Sequence, residues 1–191
     1  GLDIDILHSG TDWTPRTPPL AQERKVGILG MGALGTEAAK TLAYLGFDLA
    51  GWSRSPKTEP GIKCFDGEQG LQDILARSEI LVLLLPGTPA TENTIDKAAL
   101  AAMPKGAFII NPGRGPLIDD DALINALDSG QIAHATLDVF RTEPLPAQHP
   151  YWAHPNVTVT PHIAAETRAV TASQMVVENI QRGETGQPFL H

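Results

Sequence analysis

From Lys25 onward, short apolar runs alternate with longer stretches in which apolar residues recur at helical spacing. The runs predict strands at 26–29, 47–52, 80–85, 107–110, 133–139 and 157–160. The periodic stretches predict helices at 33–45, 71–77, 96–103, 119–129 and 166–181. Gly46 and Gly130 stand where two of these helices should stop, and acidic residues fill the first turn of the helix at 119. Residues 53–70 are polar and broken by Pro56, Pro60, Gly61 and Gly67, so they read mostly as loop. The strands are apolar throughout rather than alternating, which predicts burial on both faces by crossover helices. That pattern is a doubly wound, parallel α/β sheet. The ends fit less simply. Residues 1–23 contain Pro15, Pro18 and Pro19. Leu2, Ile4 and Ile6 alternate like a strand, yet Leu2 and Ile6 would also share a helix face, and the pattern leaves both readings open.

The first predicted strand runs directly into Gly30-x-Gly32-x-x-Gly35, and the helix that follows is rich in alanine. In a dinucleotide-binding turn each glycine has a task. Gly30 permits the tight bend, Gly32 lets a pyrophosphate approach the backbone, and Gly35 lets helix and strand pack closely. The start of the helix, at Ala33, Leu34 and Gly35, offers N–H groups and the positive end of a dipole to phosphates. Glycine-rich turns also occur in ordinary strand-to-helix connections. Here the strand, the turn and the helix stand in the required order, which favours a Rossmann-type cofactor site.

Composition narrows the partners. The chain has 191 residues and a net charge of -8, which argues against a nucleic acid held by its phosphates. No apolar run approaches the roughly 20 residues that span a bilayer, and no secretory signal pattern is visible. Cys64 is the single cysteine, so a disulfide framework is excluded and a reducing cytoplasm is the expected setting. No cluster with metal-ligand spacing is present.

Ligands of a parallel α/β sheet bind beyond the carboxyl ends of the strands. Three polar groups fall there: Asn111 to Gly115 after one strand, Asp138 to Pro144 after the next, and Pro161-His162 after the last. Each alone reads as a polar loop. Together they share the edge that carries the glycine turn. Their residue types suit hydride transfer to a carbonyl. A nicotinamide supplies a hydride but no proton, and histidine is the natural acid near neutral pH. A carboxylate such as Glu143 would favour the imidazolium and fix the ring, and a guanidinium such as Arg114 would polarise a carbonyl and grip a carboxylate.

With these segments in view, the chain resembles the D-isomer-specific 2-hydroxyacid dehydrogenases, and within them the glyoxylate/hydroxypyruvate reductase A group. The resemblance rests on GILGMGALG, WSRSPK, LLLPGTPATENTI, INPGRGPLIDDDAL, ALDSGQIAHATLDVFRTEPLP and HPNVTVTPHIAAET, in that order, over residues 13–182. It implies that Arg114 binds substrate, Glu143 orients the histidine, His162 is the acid/base and Asp138 contacts the nicotinamide carboxamide. It also implies that Pro86 and Thr88 lie along the cofactor ribose, although turn formation alone explains those two. Homodimers are usual among such proteins.

The second strand selects between nucleotides. NAD-preferring sites place an Asp or Glu about 20 residues along, on the ribose 2′-OH. Here that strand ends in Ser53-Arg54-Ser55, with Lys57 nearby. Arg54 could clamp a 2′-phosphate with Ser53 and Ser55 donating hydrogen bonds, so NADP(H) is expected in preference to NAD. A solvated polar loop is the plainer reading of such a cluster. His134, His149 and His154 have packing, capping or surface roles as their default, and Trp152 packs the loop near the substrate opening.

By this resemblance, residues 1–24 are a linker or remnant of a substrate domain, 25–165 the dinucleotide-binding domain, and 166–191 a helix and tail returning toward the substrate domain. The expected activity is NADPH-dependent reduction of glyoxylate or hydroxypyruvate, with the fragment weak or inactive alone. Two other readings stand beside it: a non-catalytic dinucleotide sensor or corepressor-like module, and a dehydrogenase of the same family with another 2-hydroxy acid.

Overall fold

The computed structural model describes residues 18–165 and 167–190. The alternating readings for Leu2 to Ile6 fall outside the described residues.

The apolar runs form the strands β1 (Lys25–Leu29), β2 (Asp48–Ser53), β4 (Ile80–Leu83), β5 (Ala107–Asn111), β6 (Ile132–Leu137) and β7 (Val157–Val159). With β3 (Lys63–Asp66) they make a sheet of order β3-β2-β1-β4-β5-β6-β7 in which every pairing is parallel. The crossovers include helices α1 (Ala33–Tyr44), α2 (Gly67–Arg77), α3 (Lys97–Ala102) and α4 (Asp120–Asp128), and α5 (Ala169–Glu184) follows β7. Strand order reverses between β1 and β4, so their carboxyl ends open the crevice where such sheets take ligands.

Alternation along β1 explains the two-sided core. Val26 and Ile28 pack with Met31, Ala39 and Leu49 on the α1 side. Leu29 joins Leu81, Leu83, Ile74, Leu100 and Leu123 in the other cluster, to which α2, α3 and α4 contribute. Ile28, Leu29, Leu81 and Leu83 are fully buried, and burial of each such side chain is worth about 1.5–3 kcal/mol. The strands therefore hold their registers firmly, and the loops at their ends are set by them.

Two sequence expectations change. The stretch 53–70 contains β3, and α2 begins at Gly67 rather than 71, with Gly67 in the left-handed region at φ 66°. As an edge strand, β3 needs no continuous apolar run. Cys64 and Phe65 are only partly buried between Lys63 and Asp66. The last helix starts at Ala169, after an extended Arg168, and continues to Glu184 instead of ending at 181. Among the described residues no helix is long and apolar enough to cross a membrane, and no group of His, Cys, Asp or Glu is placed to hold a metal ion.

Candidate active site at the carboxyl edge of the sheet

The β1–α1 turn is shaped by its glycines in two different ways. Gly30 has φ 107°, and a Cβ there would lie 2.5 Å from the Leu84 carbonyl oxygen. A Cβ on Gly35 would sit 1.9 Å from the Gly30 oxygen. Both positions need glycine for the fold itself. Gly32 differs: its backbone is extended, and a Cβ would meet nothing within 4 Å. The space in front of Gly32 belongs to no part of the described protein.

The α1 N-terminus is also left open. Asp96 caps α3 by accepting from the Ala99 N–H at 2.8 Å, and Asp119 caps α4 by accepting from the Ala122 N–H at 2.9 Å. Gly32 has no side chain to do this for α1. The first helical bond runs from the Thr36 N–H to the Gly32 carbonyl, so the N–H groups of Ala33, Leu34 and Gly35 precede it. An uncapped helix start with open space before it has the chemistry that suits an anion.

At the end of β2, Arg54 is exposed and takes part in no hydrogen bond or ion pair among the described residues. Ser53 behaves differently from expectation. It is buried, and its hydroxyl donates to the Ser55 carbonyl at 2.8 Å, so its proton shapes the turn instead of pointing at a ligand. Ser55 is exposed. The Pro86–Thr88 turn after β4 is organised by Thr91, which sequence reasoning missed. Its Oγ1 accepts from the Thr88 N–H at 3.0 Å and donates to the Pro86 carbonyl at 2.6 Å.

The remaining candidates meet at the ends of β5, β6 and β7. His162 Nδ1 lies 2.7 Å from Glu143 Oε2, and Glu143 Oε1 accepts from the Phe140 N–H at 2.8 Å. With Nδ1 on the carboxylate, Nε2 is the ring nitrogen left for a ligand. Burial works to raise the Glu143 carboxyl. The hydrogen bonds from His162 and Phe140 outweigh it, helped by the charges of His162 and Arg114, and its pKa falls below the usual range. His162 itself has φ 55°, a left-handed conformation uncommon for a side-chain-bearing residue. Its N–H donates to the Asp138 carbonyl at 2.9 Å.

Asp138 secures this unusual loop. It is buried, and Oδ1 accepts from the Thr160 hydroxyl and from the Ile163 N–H at 3.0 Å, while Oδ2 accepts from the Ala164 N–H at 2.9 Å. Burial raises its pKa, but these hydrogen bonds and the nearby His162 charge more than reverse that. A carboxyl held lower in the folded than in the unfolded chain adds stability that is complete above the unfolded value. That stability is lost as pH falls through the folded value. The melting temperature should therefore drop below about pH 5, and Asp138→Asn should flatten part of that drop. Thermal melts across the acid range check this. An unchanged acid slope in Asp138→Asn would show that the ionised carboxylate does not hold the loop.

Arg114 is exposed and bonds its own neighbour, the Gly113 carbonyl, at 2.6 Å; it touches neither Glu143 nor His162 directly. Glycines set its place. A Cβ on Gly87 would lie 3.1 Å from Arg114 Cγ, and one on Gly115 would lie 2.0 Å from the Phe140 carbonyl carbon. The loops after β4, β5 and β6 thus interlock at close backbone approach. Arg141, which sequence reasoning also missed, fastens the same loops from behind. It donates to the Ile118 carbonyl at 2.7 Å, to Glu92 at 3.1 Å and to Asn93, and lies 3.5 Å from Asp120. Asp120 in turn accepts from the buried Tyr151 hydroxyl at 2.8 Å. No spacing in the sequence signals these long-range contacts.

A mainly apolar cavity of about 480 Å³ opens beside the His162–Glu143 pair, lined by Phe140, Leu145, Trp152, Val159 and Pro161 among others. Trp152 is half exposed and donates to the Pro146 carbonyl at 3.0 Å. His134, His149 and His154 take their default roles. His134 Nε2 lies 2.9 Å from Thr158 Oγ1, His149 caps a short turn, and His154 lies 3.3 Å from Asp128.

Residues 5–164 match the protein family described as D-isomer specific 2-hydroxyacid dehydrogenase, NAD binding domain. The chain is 42% identical over 185 residues to glyoxylate/hydroxypyruvate reductase A of Serratia proteamaculans, covering 97% of this chain and 59% of that protein. Among solved structures, it is similar to a D-isomer specific 2-hydroxyacid dehydrogenase from Xanthobacter autotrophicus Py2 in complex with NADPH and MES. There the TM-score is 0.91 at 48% identity, covering 99% of this chain and 77% of that one. It is also similar to an NADPH-dependent glyoxylate/hydroxypyruvate reductase from Sinorhizobium meliloti in complex with NADP and sulfate. That match has a TM-score of 0.92 at 38% identity, covering 99% of this chain and 61% of the other. The chain thus spans under two thirds of the length of the curated relative.

Proposed function

Because the chain belongs to the D-isomer specific 2-hydroxyacid dehydrogenase family, through its NAD binding domain, we propose that it is the cofactor-binding part of an NADPH-dependent 2-keto acid reductase. Glyoxylate and hydroxypyruvate are the proposed substrates, as the names of its relatives suggest. One observation carries the reading. A histidine held by a carboxylate at 2.7 Å stands on the same sheet edge as an uncapped helix start with open space before Gly32.

The residues present fit NADP(H). Gly30, Gly32 and Gly35 with the N–H groups of Ala33 and Leu34 would cradle the pyrophosphate, and Arg54 with Ser55 would hold the 2′-phosphate. Ser53 supports that turn from inside. Pro86 and Thr88 would border the nicotinamide ribose. A contact from Asp138 to the carboxamide would use Oδ2, whose one partner among the described residues is the Ala164 N–H. When bound, the cofactor supplies a hydride for the keto carbon.

Arg114 pairs with the substrate carboxylate and draws electron density toward the carbonyl oxygen. His162 gives that oxygen the proton on Nε2 and is left as the neutral ring, with Nδ1–H still on Glu143. Glu143 stays ionised near neutral pH because its pKa is depressed, so it holds the ring in both protonation states. The domain limits proposed are 25–165 for the nucleotide-binding unit, with the segments on either side leading to a substrate domain. A reducing cytoplasm is the proposed setting, in keeping with the lone Cys64, and a homodimer the proposed assembly.

Titrating the chain with NADPH and with NADH, followed by nicotinamide fluorescence, tests the cofactor assignment. A guanidinium–phosphate contact is worth about 1.5–3 kcal/mol. NADPH should therefore bind about 10–100-fold more tightly than NADH, and Arg54→Ala should remove most of that preference. Equal affinities in the unaltered chain would overturn it.

A further inference from the structure

The segment between β2 and β3 reaches back to the glycine turn through one side chain. Lys57 donates from its ammonium to the main-chain carbonyl of Met31, the residue between Gly30 and Gly32. No carboxylate neutralises it among the described residues. Lys40, the neighbouring lysine on α1, is by contrast paired with Glu37 at 3.1 Å and Glu59 at 3.4 Å. An ammonium has three donors, and the Met31 carbonyl takes one. Lys57 therefore arrives at the turn as an uncompensated charge with two hydrogen bonds to give.

Arg54 stands at the end of β2, three residues before Lys57, and like it has no carboxylate partner among the described residues. The two cations belong to one short segment that runs from β2 to the Gly30–Gly32 turn. In a nucleotide-binding sheet of this order, the space between the end of the second strand and the first turn receives the adenosine ribose. The two side chains are suited to different tasks there. A guanidinium is a planar fork that fixes orientation, whereas an ammonium is a compact point charge that tolerates many approach angles. Anchorage on Met31 also removes part of the rotamer freedom that a free lysine would lose on binding.

We propose that Lys57 is a second cationic contact to the 2′-phosphate and, with Arg54, sets the preference for NADPH over NADH. This rests on the reading of the chain as an NADPH-binding domain. An NADH ribose offers only a neutral hydroxyl at that place, so the lysine contributes to one nucleotide and is nearly silent toward the other.

Lys57→Met keeps the length of the stem and removes the charge. The test measures dissociation constants of NADPH, NADH, adenosine 2′-monophosphate and adenosine 5′-monophosphate for the unaltered chain and this variant. A thermal melt of each confirms the fold. NADPH and adenosine 2′-monophosphate should weaken about tenfold in Lys57→Met, while NADH and adenosine 5′-monophosphate stay within about twofold. Lys57→Arg should keep most of the preference. Equal weakening of NADPH and NADH would overturn the proposal, since Lys57 would then only brace the turn. Unchanged NADPH affinity would overturn it as well. Failure of the unaltered chain to bind NADPH would instead defeat the cofactor reading itself, and that outcome is visible before any variant is made.

Discussion

Replacing His162 with alanine, in an enzyme that joins this domain to a substrate domain, should lower kcat by about 10²–10⁴-fold and leave NADPH affinity within about twofold. The geometry dictates the split between the two effects. Glu143 takes Nδ1 at 2.7 Å, so the histidine would present a single nitrogen to a substrate oxygen. Among the described residues the other histidines are engaged elsewhere: His134 meets Thr158, His149 caps a turn and His154 lies beside Asp128. The proposed nucleotide cradle comprises β1, α1 and the end of β2, with which the His162 side chain forms no hydrogen bond or ion pair among the described residues. Losing the ring therefore removes a proton donor and leaves the cradle intact. Single-turnover oxidation of NADPH with glyoxylate reads the chemical step, and a fluorescence titration reads the affinity. An unaltered single-turnover rate would remove His162 as the acid.

A second substitution separates folding from binding at the opposite end of the edge. Gly32→Asp should keep the fold, or stabilise it by about 0.3–1 kcal/mol, while weakening NADPH at least about 100-fold. The backbone at Gly32 has φ −78° and ψ −165°, which any residue adopts, and a Cβ there meets nothing within 4 Å. An aspartate at that position would cap α1 as Asp96 and Asp119 cap α3 and α4. It would also put a negative charge where the proposed pyrophosphate would lie and take up the N–H groups that would bind it. Gly35→Ala is the contrasting control. Its Cβ would meet the Gly30 oxygen at 1.9 Å, so stability and binding should fall together. A circular-dichroism melt and a titration of each variant suffice. Undiminished NADPH binding by Gly32→Asp would show that the pyrophosphate does not approach there.

Most of the sheet was legible because its strands are largely apolar, although the expected burial on both faces does not extend to β5, where Ile110 is exposed and Phe108 only partly buried, nor to β7, where Thr158 is exposed. Edge strand β3 escaped because Lys63 and Asp66 flank a partly buried pair, and edge pairing leaves little trace in hydropathy. The site was legible to a similar depth. Residue types and their places after strands pointed to Glu143 and His162, which the structure brings to hydrogen-bond distance. Thr91, Thr160 and Arg141 were not legible. The partners of Thr160 and Arg141 are fixed by how separate loops meet, with Arg141 reaching Glu92 and Asp120 across 49 and 21 positions of chain, whereas Thr91 acts within its own turn. Ser53 shows the converse limit: its position suggested a ligand donor, but a hydroxyl has one proton, and the nearby Ser55 carbonyl takes it.

The reversal of strand order at β1 and β4 divides the edge into two workshops. On the proposed reading, residues on β1, β2 and the segments after them would read the nucleotide, and residues after β5, β6 and β7 would handle the carbonyl. The described hydrogen bonds and ion pairs link Arg54, Ser55 and Lys57 to neither Arg114, Glu143 nor His162. Changes confined to one half should then combine with changes in the other as independent free energies. On that reading, cofactor preference and catalytic chemistry would drift or be redesigned separately in this domain, each without renegotiating the other.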